Sequence, residues 1–568
     1  MGTTPAALPR WDMSVIYPSL DSPEFAEGFA ALGDSVNALE RLFGEWHVER
    51  RAISTVEANA ITAFETITAQ LNETLTAFQT MGAYLTGFVA VDSRDNAAQA
   101  RQSELRQLGA KLSILETRYT AWVGSLDAET LIAQSELAEA HAFTVRQLRV
   151  AAQHLLSLKE EELVAALHLS SGAAWSKLHG DVTSQVAVTI DRNGQPETLP
   201  MSAIRNLATD QDRDVRRSAY EAELEAWESH AVPLAAALNS IKGEGNTLAF
   251  RRGWESPLAE ALFTNHIDQR TLDVMLASAR DAFPDLRRYL HLKAQALGVK
   301  RLAWYDLFAP VGQATTTWDF ENAVGFLSEQ FGTFSAKMRD LSDRAFKERW
   351  VDAGPRSGKR DGAFCMLLRG DESRILANFT PAYDGVSTLA HELGHAYHNL
   401  NEAGLTPLQQ MTPMTLAETA STFCETIVRH AAFERADPGE QLLILEAALQ
   451  DASQIVLDIT SRFLFESRVF AKRLERELSV QEFNEIMLES QRETYGDGLD
   501  GDLLHPYMWA VKGHYYNTGR SFYNFPYMFG LLFGMGLYAR YQNDPTPFAA
   551  SYDALLSSTG LADAAELA

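Results

Sequence analysis

Between Val56 and Leu169 the chain has no proline, and apolar residues recur at helical spacing, as in 56-VEANAITAFETITAQLNETLTAFQTMGAYL-85. A prolonged 3.6-residue period without helix breakers predicts long amphipathic helices and excludes an all-β architecture for this region. Two β-rich islands interrupt the helical pattern. The first, 182-VTSQVAVTIDRNGQPETLPM-201, carries a β-rich run, an Asn193-Gly194 turn and a second short strand, which reads as a hairpin near 185 to 200. The second places 363-AFCMLL-368 and 374-RILANF-379 on either side of the turn Arg369-Gly370-Asp371-Glu372. The run 302-LAWYDLFAPVG-312 reads as a further extended segment. A chain of 568 residues exceeds what one hydrophobic core usually serves. The expected division is therefore a helical N-terminal domain over 1–200, closed by the hairpin, and a second domain over 201–568, in a mainly α fold.

Charge narrows the partners. A formal charge of −26 repels the phosphate backbone and anionic membrane surfaces, so neither nucleic acid nor membrane is expected as a partner. Two cysteines, Cys365 and Cys424, cannot build a disulfide framework, and MGTTPAALPRWDMS lacks a basic stretch followed by an apolar run; the expected location is cytoplasmic. The uncharged segment 521-SFYNFPYMFGLLFGMGLYA-539 is long enough to test that expectation, but Asn524 and Pro526 interrupt it and its glycines suit close packing in a buried helix.

The chemistry concentrates in 388-TLAHELGHAYHNL-400, which holds three of the chain's 14 histidines. Asp384 reads as the N-cap of a proline-free helix. His391 and His395, four residues apart, then sit about 40° apart around the axis and about 6 Å along it, so both imidazoles reach one ion. Glu392 lies about 100° from His391, beside the ion rather than on it. This is the HExxH arrangement, in which Zn²⁺ with three protein ligands keeps a position for water and the adjacent carboxylate takes the proton. His398 is not a further ligand on this spacing, because the extended pattern HExxHxxGxxH needs Gly and His where the chain has His398 and Asn401; it reads as an outer or packing residue. The third ligand must come from elsewhere, and 415-TLAETASTFCETIVRH-430 offers Glu418 and Glu425, seven apart on one helical face. Glu418 also completes a TLAE capping box, and Glu425 could instead orient one of the histidines.

HELGHAYH, followed by AETAST with its glutamate 27 residues after His391, resembles the oligoendopeptidase F branch of the thimet-oligopeptidase-like zinc metallopeptidases. The stretches 241-IKGEGNTLAFRRGW-254 and 356-RSGKRDGAF-364 extend the resemblance over most of 200 to 545. It implies a helical zincin-like metallopeptidase with a small β-sheet beside the zinc helix and a deep substrate channel. It also implies one Zn²⁺ held by His391, His395 and Glu418, with Glu392 as general base, and oligopeptides as substrates. A second constellation, 514-HYYNTGRSFYNFPY-527, crowds one histidine among four tyrosines. Such aromatic stripes are usually core, yet imidazole and phenol donors can also stabilise an oxyanion. The resemblance carries His514, Tyr523 and Tyr527 over as groups above the scissile bond, with Tyr516 competing with Tyr523 because the spacing differs by about one residue from the thimet-like branch. It also implies that the sheet edge over 363 to 379, with Gly358 and Gly362 in a flexible loop beside it, binds extended peptide. The sequence leaves two rivals: a zinc carboxypeptidase of related helical fold, and a peptide-binding protein whose structural metal would need Cys365 or Cys424 as a fourth ligand. The oligomeric state is not legible.

Overall fold

The structure is a computed structural model that describes residues 8–50, 56–192, 195–312 and 317–568. Helices dominate, and two small sheets account for the strands. Contacts divide the chain into two compact units, each assembled from separated segments: 1–155, 316–435 and 533–568 in the first, 156–315 and 436–532 in the second.

In the first unit, Pro23–Glu45, Ala58–Val91 and Asn96–Val123 are the long helices, with Ser22 and Asp95 capping the first and third through bonds to Phe25 N and Ala98 N. Their shared apolar faces bury Phe43, Phe64, Leu71, Leu112 and Trp122, each contributing about 1.5–3 kcal/mol of transfer free energy or more. The sheet of this unit has strands β3 (Val351–Asp352), β4 (Phe364–Arg369) and β5 (Glu372–Leu376) in the order β3-β5-β4. β5 is central, parallel to β3 and antiparallel to β4, with a bulge between Leu367 and Arg369. The two-residue period gives the sheet two different faces. Phe364, Met366, Leu368 and Leu376 join an apolar cluster with Met13, Tyr84 and Leu85. From the other face Ser373 Oγ accepts a 3.0 Å bond from Asn399 Nδ2, and Cys365 Sγ lies 4.0 Å from the same nitrogen, so this face lies on the helix that carries the histidines. Lys359, fully buried, ties the preceding loop to the sheet through Asp352 O and Gly354 O at 3.0 Å and an ion pair with Asp352 at 2.7 Å.

The second unit contains the expected hairpin, β1 (Ala187–Arg192) antiparallel to β2 (Gln195–Pro200), in which Val188 and Ile190 alternate inward; the Asn193-Gly194 turn lies outside the described residues. The 39-residue helix Arg213–Arg251 packs with Ile459–Arg473 through Trp227, Leu234, Leu238 and Phe465, and Lys242 is buried against Glu466 at 2.6 Å. The segment 302–312 departs from the extended expectation. Trp304–Asp306 forms a 3₁₀ turn because the buried Asp306 carboxylate accepts from Ala303 N at 3.0 Å and pairs with Arg213 and Arg216, which closes the chain locally. Around 521–539 the chain forms the helix Phe525–Asn543, and among the described residues no helix is long and apolar enough to cross a membrane.

Candidate metal centre

The histidines lie on Tyr383–Glu402. Its cap differs from expectation: Ala382 is the N-cap and Asp384 falls in the first turn, where a carboxylate favours the positive helix end without bonding as a cap. Leu389, Leu393, Ala396 and Tyr397 form the buried stripe. The expected single helix over 415–430 is two, Met414–Ala417 and Thr419–Arg435, broken at Glu418, whose φ of −90° and ψ of 4° are not helical. That break turns the Glu418 carboxylate toward the histidines.

Gly394 allows the close approach. A Cβ there would stand 2.5 Å from Ser421 Cα and 2.6 Å from Ala420 O, inside the backbone of the glutamate-bearing helix. Only a residue without a side chain lets the two helices meet at this distance.

The result is a nearly equilateral triangle. His391 Nε2 lies 3.2 Å from His395 Nε2 and 3.3 Å from Glu418 Oε2, and His395 Nε2 lies 3.4 Å from the same oxygen. A regular tetrahedron has edges about 1.63 times its centre-to-vertex distance, so such a face surrounds a point about 2.0 Å from all three atoms, the length of Zn–N and Zn–O bonds. Ser421 Oγ donates to Glu418 Oε2 at 2.7 Å and fixes the carboxylate. Glu425 takes the other role open to it, with Oε1 2.7 Å from His391 Nδ1. Because Nδ1 is committed to that bond, Nε2 is the nitrogen left to face a metal in the triangle.

Three carboxylates surround two imidazoles. Burial opposes charge on His391, but Glu425, Glu418 and Glu392 outweigh it and lift the group to about 9. Burial raises Glu418, yet His395 and His391 bring it down to about 2. An excess of negative charge facing two imidazoles is the electrostatic signature of a cation site. Glu392 is 5% exposed, and its Oε2 has no hydrogen-bond partner among the described groups. Burial pushes its carboxyl above the usual range, with His391 and His395 pulling the other way. An orphaned, basic carboxylate oxygen beside the ligand triangle fits a hydrolytic metal centre.

Among the described residues, the metal-ligating atoms that converge are those of His391, His395 and Glu418. Cys424 is buried with Sγ 3.8 Å from Met338 Sδ, and Cys365 packs by Asn399, so neither thiol completes a closed four-ligand site. His398 is turned away, its Nε2 2.8 Å from Thr559 Oγ1 in a fully buried pocket shared with Glu402.

The tyrosine-rich segment belongs to the second unit. The Tyr523 and Tyr527 hydroxyls are 3.0 Å apart and both rings are half-buried; the His514 ring is 6.0 Å from that of Tyr523. Tyr516 is instead buried and stacked on His179 at 3.8 Å, which removes it from the accessible set. Burial, with Arg462, Lys512 and Lys242 adding to it, lowers His514 to about 2. Its imidazole is therefore neutral at ordinary pH.

The model of peptidase family M3 matches residues 206–568. The chain belongs to that family. A second match, described as oligopeptidase F, covers residues 126–186 of this M3 peptidase. Its relatives include an oligoendopeptidase F homolog of Lactococcus lactis, 25% identical over 456 residues, 77% of this chain and 74% of the relative. The group B oligopeptidase PepB of Streptococcus agalactiae is 26% identical over 382 residues, 66% of this chain and 63% of that protein. The crystal structure of oligoendopeptidase F from Enterococcus faecium superposes with a TM-score of 0.67 at 20% identity, covering 94% of this chain and 91% of that one, a likeness of fold. The M3 peptidase described here is a metalloendopeptidase with a helical, zincin-like fold.

Proposed function

We propose that the enzyme hydrolyses internal peptide bonds of short, unstructured oligopeptides, with His391 Nε2, His395 Nε2 and Glu418 Oε2 as ligands of one Zn²⁺. The observation that carries this reading is the triangle with 3.2 to 3.4 Å edges and Glu392 beside it. When bound, zinc would supply a Lewis acid that polarises the scissile carbonyl and makes water a nucleophile near neutral pH. Glu392, basic through burial, accepts the proton of the attacking water and returns it to the leaving amine nitrogen. Glu425 holds the His391 tautomer, and Ser421 holds the Glu418 carboxylate. From the family resemblance we carry over His514, Tyr523 and Tyr527 as donors to the oxygen that gains charge on attack. Because β4 is an outer strand in the order β3-β5-β4 and lies against the histidine helix, an extended peptide added to it would be read by its backbone, with broad tolerance of side chains.

The test is mass spectrometry of fragments from a random peptide mixture blocked at both ends. Internal cuts that vanish with chelator and return with zinc are expected. Resistance of the blocked peptides, with trimming only of free C-termini, would instead mark a carboxypeptidase.

A further inference from the structure

The second unit holds a buried charge cluster that the proposed chemistry leaves unused. The helix Pro438–Ser453 passes into Ile459–Arg473 through a π-turn, Gln454–Asp458, a wide turn that interrupts α-helices, frequently at functional sites. Asp458, at its end, is buried and pairs with Arg462. A second arm of the same guanidinium, Nη1, reaches Asn524 Oδ1 at 3.3 Å, while the Nε–H is buried with no partner among the described groups. Asn524 is itself 5% exposed. It directly follows Tyr523 and precedes the helix Phe525–Asn543, and its carbonyl accepts from Tyr527 N at 3.2 Å. One residue earlier, Phe522 is held at a φ of +55°, a conformation rare for a bulky side chain, by rings of the same helix: Phe470 at 5.4 Å and Phe463 at 5.5 Å.

We propose that Arg462, fixed by Asp458, is a positioning residue that sets the paired hydroxyls of Tyr523 and Tyr527. The inference rests on the reading that these hydroxyls face the reacting carbonyl. A buried ion pair with an unmet Nε–H adds little to stability over an apolar pair of the same volume, so stability alone gives a weak reason for it. Geometry gives a stronger one. The guanidinium is a rigid fork that stays charged and bridges two acceptors at a fixed separation, which an ammonium cannot reproduce. Its two acceptors are the end of the π-turn and the residue between the two tyrosines. Arg462 thereby carries the register of one rigid helix into the strained turn at Phe522 and the phenols on either side of Asn524.

A double-mutant cycle on the zinc-loaded full chain tests this, using Arg462→Met, Tyr527→Phe and the pair. Arg462→Met is expected to lower kcat by about 10-fold or more with KM little changed, while zinc content stays at wild type, because loss of aim removes a donor felt in the transition state. Tyr527→Phe should cost a similar factor, and the double variant no more than about twofold beyond the worse single, since both act through one donor. Arg462→Lys, which keeps charge without the fork, should fail to rescue kcat. Losses that multiply in the double variant, or wild-type kcat in Arg462→Met, overturn the positioning role while leaving the tyrosine reading intact. Wild-type kcat in both Tyr527→Phe and Tyr523→Phe overturns the tyrosine reading and this inference with it. Should Arg462→Met not fold, Asn524→Leu removes the acceptor without stranding a charge, and the same coupling with Tyr527→Phe is required.

Discussion

Gly394→Ala puts one methyl group at the point where the metal centre is assembled. In an isolated helix the change would stabilise by about 1 kcal/mol. Here the new carbon would lie 2.5 Å from Ser421 Cα and 2.6 Å from Ala420 O, whereas ordinary contact begins at 3.4 Å. Neither contact is a side chain that can rotate away, so the helices must separate by about 1 Å, an overpacking that costs about 1–3 kcal/mol and outweighs the propensity gain. The same displacement acts on Glu418, two residues before the contacted Ala420. Its 3.3 and 3.4 Å edges to the histidines would open toward about 4 Å, beyond the roughly 3.3–3.6 Å that ligands at 2.0–2.2 Å from one zinc span at tetrahedral angles. Zinc affinity is expected to fall by about 10-fold or more, while the melting temperature of the zinc-free protein falls only slightly. Competition with a chromophoric chelator measures the first and a thermal melt the second. Gly404→Ala, where a Cβ meets nothing within 4 Å, is the control. A Gly394→Ala protein that binds zinc as tightly as wild type and melts at or above it would refute the close-approach argument.

Glu418→Gln should weaken zinc retention by about 10-fold or more, and Glu425→Gln by less, because its amide carbonyl still accepts the His391 Nδ1 proton; dialysis against graded chelator ranks them, and the reverse order would transfer the ligand role. Glu392→Gln should keep its zinc and lose about 10²-fold or more in kcat, read by initial rates alongside metal analysis. His514→Ala should lower kcat by about 10²-fold without moving the acid limb of the kcat/KM pH profile, since a group held near 2 is neutral through the working range and gains its proton only below it. A free end-blocked peptide should be cleaved much faster than the same sequence inside a rigid folded host, which must first open at a cost of several kcal/mol; equal rates would refute selection for unstructured chains.

The histidines of the candidate metal centre were legible because helical spacing alone fixes the relation of His391, Glu392 and His395. The hairpin strands and the 363–379 sheet were equally visible in alternation and turn residues. The third candidate ligand was not decided by spacing, since Glu418 and Glu425 share a helical face on paper; what separates them is the break at Glu418, a departure from the helix that periodicity cannot show. Gly394 carried a visible signal, a glycine inside a helical motif, whose meaning depends on a neighbour distant in sequence. Arg462 carried none, because its partners Asp458 and Asn524 meet only through tertiary packing. Nor does the linear order reveal compact units built from interleaved segments.

X-ray absorption at the zinc edge, on protein loaded with one zinc per chain, tests the triangle most directly. Expected are two imidazoles and a carboxylate oxygen with light-atom scattering at about 2.0–2.1 Å, losing one imidazole in His395→Ala. A sulfur scatterer at about 2.3 Å, or a first shell unchanged in both His395→Ala and Glu418→Ala, would contradict the assignment.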